Sequence, residues 1–146
     1  MKSRTIPYVS TGVSINNASI AADVARLYYS GTDREIFSVL LLNTRNQLVG
    51  ANIASIGTLN SSLVHPREVF KPAILANAFE VILVHNHPSG DPTPSREDIE
   101  ITRRMVQAGN LLDIPVVDLS YLPRIAMPAC GRQAWHIYPE RSRLAG

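Results

Sequence analysis

The sequence of 146 residues predicts one α/β domain, in which helices flank a mixed central β-sheet. Three observations lead to this prediction. The chain is 45% hydrophobic, which is enough apolar material for one core. Its apolar spacing alternates between helical and strand periods in the order α-β-β-α-β-α-β. One segment, EVILVH at residues 80–85, is almost entirely apolar, as expected of a strand covered on both faces.

The first helix is predicted in the segment SIAADVARLYYSG, after a polar leader over residues 1–16 that we expect to be flexible. Asn17 or Ser19 can cap the start of this helix, and Gly31 can end it. Positions spaced i, i+4, i+7 and i+8 predict its buried face, which consists of Ile20, Val24, Leu27 and Tyr28.

A β-hairpin and a second helix follow. Residues 34–60 are rich in β-forming side chains on both sides of a polar turn at residues 43–46. Residues 66–79 have helical spacing, and Pro66 suits the first turn. Pro72 conflicts with this helix, because an interior proline removes a backbone hydrogen bond at a cost of roughly 3 kcal/mol. We therefore expect a kink or two short helices.

The second half of the domain is predicted to contain a strand, a helix and a final strand. After EVILVH comes a Pro-rich loop, and then a helix over residues 96–108 that Gly109 ends. The segment IPVVDL, at residues 114–119, is the last predicted strand. The buried face of the helix is expected to contain Ile99, Thr102, Met105 and Val106.

The charge of the chain is unevenly distributed. Residues 1–118 contain ten Lys/Arg and eleven Asp/Glu, a net charge of −1, whereas residues 119–146 carry +3. The pI of about 8.9 therefore reflects the end of the chain. We expect a domain over residues 17–118 and an atypical basic tail over residues 119–146.

Composition also excludes several classes of protein. A single cysteine, Cys130, excludes a disulfide scaffold, a cysteine-based zinc finger and a CxxC redox motif. It also excludes a zinc deaminase, which needs a pair of cysteines beside its His-x-Glu. Apolar runs are too short to span a membrane, and the N-terminus lacks the apolar region of a secretory signal. A cytoplasmic protein without membrane association is expected.

The candidate chemistry lies in residues 85–100, HNHPSGDPTPSREDIE. His85 and His87 are two residues apart at the end of a predicted strand, so both imidazoles project from one face. Asp98 falls in the first turn of the next helix, from which its carboxylate can reach back toward them. Two imidazoles, one carboxylate and an open fourth position are typical of catalytic zinc, which lowers the pKa of bound water to about 7. A nearby carboxylate is still needed as the general base.

Each part of this motif also has a simpler interpretation. A His-x-His pair alone is common in proteins that bind no metal there. Ser95, three residues before Asp98, is typical of a capping box at the start of a helix. The two interpretations of Ser95 are compatible, because a capping serine is held in place.

The motif resembles a known one. His85-x-His87, ten intervening residues and Asp98, with Ser95 three residues before the aspartate, is similar to the JAMM motif of the JAB/MPN metallopeptidases. The surrounding sequence, from about Glu35 to Asp118, resembles the RadC group of that superfamily. The segments that carry the similarity are LLLNTRNQLVG, GTLNSSLVHPREVFKPAILANA and ILVHNHPSGDPTPSREDIEITRRM.

The resemblance implies a JAB/MPN-like fold of the cytidine-deaminase-like type and one Zn²⁺ ion bound by His85, His87 and Asp98. It also implies that Glu35 is the general acid/base acting on the zinc-bound water. Ser95 matches the serine that stabilises the oxyanion in the family. Peptide or protein substrates follow from the same resemblance.

The residues alone leave the general base open. Glu80 is five residues before His85 on an alternating strand and is expected to face the opposite side. Glu68 is expected in the first turn of a helix, where the helix dipole favours a carboxylate. His65 is predicted to be a loop residue. Glu35 remains, and the resemblance selects it more firmly than this elimination does.

The chain departs from the RadC pattern at both ends. Members typically carry an N-terminal helical region resembling a helix-hairpin-helix DNA-binding module, which has no counterpart in these 146 residues. After Asp118 they usually continue with a histidine and further β-structure, whereas residues 119–146 match no pattern of the group. Our hypothesis is a divergent or out-of-frame ending that leaves edge strands missing. An intact alternative frame at the locus would support it.

Three functions compete. The first is a zinc-dependent hydrolase of peptide or isopeptide bonds. The second is a DNA-repair-associated accessory protein that binds nucleic acid or a protein partner, with phosphate contacts supplied only by the basic tail. The third is a non-catalytic scaffold of the MPN type, which ranks last because such members typically lack the metal ligands. The arginines of the tail are Arg124, Arg132, Arg141 and Arg143.

Overall fold

The described part of the chain forms three helices and four strands. The computed structural model describes residues 12–29, 34–57, 64–87 and 95–117, and the backbone of residues 134–138. The four strands form one sheet in the order β2-β1-β3-β4, with antiparallel neighbours throughout. The elements are α1 (Ala18–Tyr29), β1 (Ile36–Leu42), β2 (Leu48–Ile56), α2 (Pro66–Leu75), β3 (Glu80–His87), α3 (Arg96–Leu112) and β4 (Ala134–Tyr138).

Helices cover both faces of this sheet. Because strand residues alternate between faces, odd-numbered residues of β1 and β3, such as Phe37 and Leu83, pack with α2 and α3. Even-numbered residues, such as Leu40 and Ile82, pack with α1. All of β1 is buried, and so is β3 beyond its first residue. The predicted α/β class is confirmed, and so is the strand covered on both faces.

The chain before α1 is attached to the hairpin. Ser14 forms an antiparallel bridge with Gln47, and the N–H of Ile15 donates to the carbonyl of Asn46 at 2.8 Å. Ile15 is only 2% exposed and belongs to the apolar cluster beneath α1. The flexible leader expected over residues 1–16 therefore does not include Ser14 and Ile15. Residues 1–11 lie outside the described part of the chain.

The start of α1 agrees with the prediction, but its buried face differs in part. Asn17 caps the helix, since its Oδ1 accepts the N–H of Ile20 at 2.9 Å. Val24 is buried as predicted, but Leu27 is 80% exposed. The side of the helix that faces the sheet carries small buried side chains, which let the helix approach closely and leave Leu27 on the outer side. These small residues are Ala21, Ala22 and Ala25. The side chain of Tyr28 and residue Gly31 lie outside the described residues.

The hairpin is confirmed. β1 and β2 pair from Ile36 with Ile56 to Leu42 with Leu48. The turn between them is organised by Asn43. Its Oδ1 accepts the N–H of Arg45 at 2.9 Å and the N–H of Gln47 at 3.0 Å.

α2 is one continuous helix. It runs from Pro66 to Leu75 with Pro72 inside it, so the expected division into two short helices is wrong. Val69, Phe70 and Ala73 are buried beneath the helix. This packing offsets the backbone hydrogen bond that Pro72 cannot make.

α3 is longer than predicted and buries a slightly different face. It continues through Gly109 to Leu112 and ends at Asp113, which has a left-handed φ of 56°. Ile99 and Val106, both expected inside, are only partly buried. The buried face contains Asp98, Ile101, Thr102, Met105 and Gly109.

The end of the domain differs most from the prediction. Of the strand expected over residues 114–119, the described residues 114–117 form one parallel bridge, between Val81 and Val116, which is the only parallel pairing in the described chain. Conversely, the tail contributes β4, which pairs with β3 from Leu83–Tyr138 to His87–Ala134. An edge strand is therefore present where a missing one was expected.

Candidate metal centre

Two histidines lie at the end of β3, on the face covered by α3. His85 and His87 have the same parity as Leu83, which packs in the cluster beneath α2 and α3. Both are buried, with 2% and 8% of their surface exposed. Their rings meet edge to face, with centroids 4.7 Å apart. The strand period thus directs both imidazoles to one point, as the sequence predicts.

Asp98 is directed toward the histidines by the start of α3. Ser95 is the N-cap: its Oγ accepts the N–H of Asp98 at 3.1 Å, and its own N–H donates to Asp98 Oδ2 at 2.7 Å. The hydroxyl of Thr102 donates to the backbone carbonyl of Asp98 at 2.7 Å. Asp98 is 2% exposed. The predicted capping box is present, and it fixes the direction of the carboxylate.

The carboxylate of Asp98 lies between the two imidazoles. Its Oδ1 is 3.0 Å from Nδ1 of His85, and its Oδ2 is 3.0 Å from Nε2 of His87. One ligand atom from each of the three residues lies within 4.8 Å of the other two. Among the described residues, these three form the group of His, Cys, Asp and Glu able to hold a metal ion.

Several polar atoms of this group are buried without a hydrogen bond. They are both ring nitrogens of His85 and Oδ1 of Asp98; the short distance between Nδ1 and Oδ1 does not have hydrogen-bond geometry. Each such atom costs roughly 1–3 kcal/mol when nothing compensates it. Tetrahedral zinc holds its nitrogen and oxygen ligands about 3.4 Å apart, and the three candidate ligand atoms lie within 4.8 Å of one another. The donor set therefore fits a zinc ion.

The electrostatics of Asp98 suit a ligand. Burial by itself raises the pKa of this carboxyl, but the adjacent His85 imidazole and the N–H and hydroxyl of Ser95 outweigh burial and hold the pKa well below its usual range. Asp98 is therefore ionised at neutral pH, which metal binding requires.

Glu35 lies beside this group without belonging to it. It is half-buried and directly precedes β1. Phe37, two residues after Glu35, pairs with His85 at the end of the antiparallel register of β1 and β3. The same parity places Glu35 on the face that carries the histidines. Its role as the general base stays a prediction.

The other candidates for the base lie elsewhere. Glu80 begins β3 and pairs with Leu42, about 17 Å along the strand from His85, and burial raises the pKa of its carboxyl. Glu68 lies in the first turn of α2, as predicted, and its side chain is exposed to solvent. His65 occupies the N-cap position of α2 without a side-chain capping bond.

The sequence analysis missed Asn86. This residue lies between the two histidines and is fully buried, and its side-chain amide bonds to the backbone of Arg34 and Ile36. An amide inside an otherwise apolar strand is unusual, because a buried polar group needs a partner. That signal was available in the sequence, but the partners, 50 residues away, were not.

The structure does not test a nucleic-acid interface in the basic tail. The four arginines of the tail lie outside the described residues, so this interface stays a prediction. Within the described part of the chain, no helix combines the length and apolar character needed to cross a membrane.

The chain is similar to known proteins over the part that contains these residues. A family model described as the RadC-like JAB domain matches residues 15–120. A UPF0758 protein of Caldanaerobacter subterraneus subsp. tengcongensis is 60% identical over 85 residues, which are 58% of this chain and 36% of that protein. One from Desulforamulus reducens is 63% identical over 86 residues, 59% of this chain and 38% of its own.

A further relative aligns over a longer stretch. A UPF0758 protein of Clostridium beijerinckii is 44% identical over 115 residues, which are 79% of this chain and 50% of that protein. The chain thus spans half or less of the length of these three curated relatives.

Proposed function

The chain belongs to the RadC-like JAB domain family, and on this premise we propose that it is a zinc-dependent hydrolase of peptide or isopeptide bonds. One observation carries the proposal. His85, His87 and Asp98 converge in a buried site in which ring nitrogens and a carboxylate oxygen lack hydrogen bonds. A divalent cation would compensate one ring nitrogen of His85 and Oδ1 of Asp98, and a hydrolase of this family requires such a cation.

The roles proposed for the side chains are those that the family resemblance implies. When bound, zinc supplies a Lewis acid that polarises a carbonyl and lowers the pKa of water. Glu35 takes the proton of the attacking water and passes it to the leaving amine. The resemblance assigns Ser95 to the oxyanion: its hydroxyl proton turns from the carboxylate of Asp98 to the developing negative charge, while its Oγ still accepts the N–H of Asp98.

The metal is tested first. We expect the purified protein, dialysed against zinc and then against metal-free buffer, to retain one zinc per chain, because the donors are buried and prearranged. His87→Ala should lose this zinc, since it removes one of three ligands. Elemental analysis of both proteins checks the prediction. A well-folded wild type that retains no zinc contradicts the proposal and favours the non-catalytic scaffold.

The base is tested on the zinc-loaded protein with a mixture of internally quenched fluorescent peptides. Glu35→Gln should retain zinc, because Glu35 is not a ligand, but lose about 10²–10⁴-fold in turnover. Glu68→Gln is the matched control, since it removes an exposed carboxylate away from the site. Undiminished turnover by Glu35→Gln would sink this mechanism.

A further inference from the structure

Asn86 makes two hydrogen bonds that lie on either side of Glu35. Its side chain is fully buried on β3, between the two histidines. Its Oδ1 accepts the N–H of Ile36, and its Nδ2 donates to the carbonyl of Arg34 at 3.0 Å. One carboxamide thus binds the residue before Glu35 and the residue after it.

These bonds continue the sheet beyond the point where its backbone pairing stops. The register of β1 with β3 runs from Leu42–Glu80 to Phe37–His85 and ends there. A carboxamide offers one donor side and one acceptor side in a plane, as a peptide group does. The side chain of Asn86 therefore replaces a backbone partner for Ile36, the first residue of β1, and for Arg34, which lies just before β1.

A third bond holds Glu35 from the opposite side. The N–H of Gly57, at the end of β2, donates to the carbonyl of Glu35 at 2.8 Å. Gly57 has a φ of +101°, a backbone conformation that side-chain-bearing residues rarely adopt. The backbone around Glu35 is thus tied to β3 by Asn86 and to β2 by Gly57.

We propose that Asn86 is a positioning residue for Glu35, fixing its backbone relative to the ligands that flank Asn86 on β3. The inference rests on the proposed function, in which Glu35 is the general base. A base must lie within hydrogen-bond reach of the proton that it takes, and a displacement of about 1 Å can cost 10²-fold in rate. Because Asn86 stands between His85 and His87, the same three residues of β3 hold both the metal and the base.

The variant Asn86→Leu tests this inference, because it removes both bonds while keeping a side chain of similar size. Asn52→Leu is the matched control: Asn52 is a buried amide of β2, 6% exposed, whose carboxamide bonds to Ile53. In the metal-free protein we expect the amide hydrogen of Ile36 to exchange at least about tenfold faster in Asn86→Leu and at the wild-type rate in Asn52→Leu. Nuclear magnetic resonance measures this exchange residue by residue.

Two further measurements separate positioning from a general structural effect. With cobalt(II) bound in place of zinc, the side-chain signals of Glu35 carry paramagnetic shifts that depend on its distance and direction from the metal. We expect these shifts to change in Asn86→Leu, while zinc affinity stays within about threefold of wild type. On the fastest-cleaved peptide of the quenched mixture, kcat should fall about 10–100-fold with KM nearly unchanged.

The outcomes distinguish this inference from the proposed function. If Glu35→Gln keeps its turnover, the proposed function falls, whereas the exchange and shift measurements on Asn86→Leu still decide the positioning of Glu35. If Glu35→Gln is inactive but Asn86→Leu has wild-type shifts and kcat, the positioning role is overturned. An equal loss in Asn52→Leu also overturns it. If Asn86→Leu does not fold, Asn86→Asp decides by the same measurements, because it keeps the acceptor for Ile36 and lacks the donor for Arg34.

Discussion

Asp98 has a structural role and a chemical role, which one substitution can separate. Its Oδ2 accepts the N–H of Ser95 in the capping box, while its Oδ1 is buried without a hydrogen bond beside His85. An asparagine at this position keeps an acceptor for the cap but loses the negative charge. The helix start and the metal site therefore depend on different properties of the same side chain.

We expect the free energy of unfolding of metal-free Asp98→Asn to lie within about 1 kcal/mol of the wild-type value, because the amide oxygen still accepts the N–H of Ser95. Its zinc affinity should fall at least about 100-fold, since zinc prefers an anionic oxygen ligand here. Asp98→Ala should lose zinc equally and cost about 1 kcal/mol more, because the cap is also lost. Urea unfolding of the metal-free proteins and zinc titration measure both effects. Wild-type zinc affinity in Asp98→Asn would exclude the carboxylate as a ligand.

At the scale of elements, α3 shows how tertiary packing overrides a local signal. A glycine near the end of a helical pattern predicts the end of the helix, but Gly109 lies inside α3. A Cβ added there would meet the carbonyl oxygen of Ile114 at 2.5 Å and the ring of Phe70 at 3.2 Å. Gly109 is therefore required by the close approach of the following chain and α2, not by a turn.

Replacing Gly109 by alanine should therefore change the stability of the protein in the direction opposite to that expected from helix propensity. Gly→Ala inside a helix ordinarily stabilises by up to about 1 kcal/mol, but here overpacking against a backbone atom should make Gly109→Ala destabilising by about 1–3 kcal/mol. The exposed neighbour Asn110→Ala is the control, and should be neutral or slightly stabilising. Urea unfolding of both variants tests this. A more stable Gly109→Ala would show that the contact with Ile114 relaxes freely.

The sequence predicted elements well where one local period sets the structure. The hairpin, the buried strand β3 and the capping box at Ser95 depend on alternation and capping, which act within a few residues. The same local rules placed His85, His87 and Asp98 near one another. The predictions failed where distant contacts decide: Leu27 is exposed because alanines face the sheet, and Asn86 bonds to residues 50 positions away.

At the scale of the whole molecule, the sheet connects the tail to the site. β3 carries His85 and His87 and is flanked by β1 on one side and β4 on the other. The pairing with β4 covers the C-terminal part of β3, where His85 pairs with His136 and His87 with Ala134. β4 lies beyond residues 15–120, which the family model matches, yet its backbone pairs with the strand that carries the two candidate metal-binding histidines. Without β4, this strand would become an edge with unpaired backbone groups.

A chain ended after residue 133 should therefore be less stable and more prone to associate. The five-residue strand contributes roughly four ladder hydrogen bonds at about 0.5–1.5 kcal/mol each, so we expect a loss of about 2–6 kcal/mol. A chain ended after residue 138 is the matched control, because it keeps β4. Urea unfolding and light scattering compare the two. If both truncated chains match the full chain, the pairing of β4 contributes no stability, and the atypical ending is dispensable for the fold.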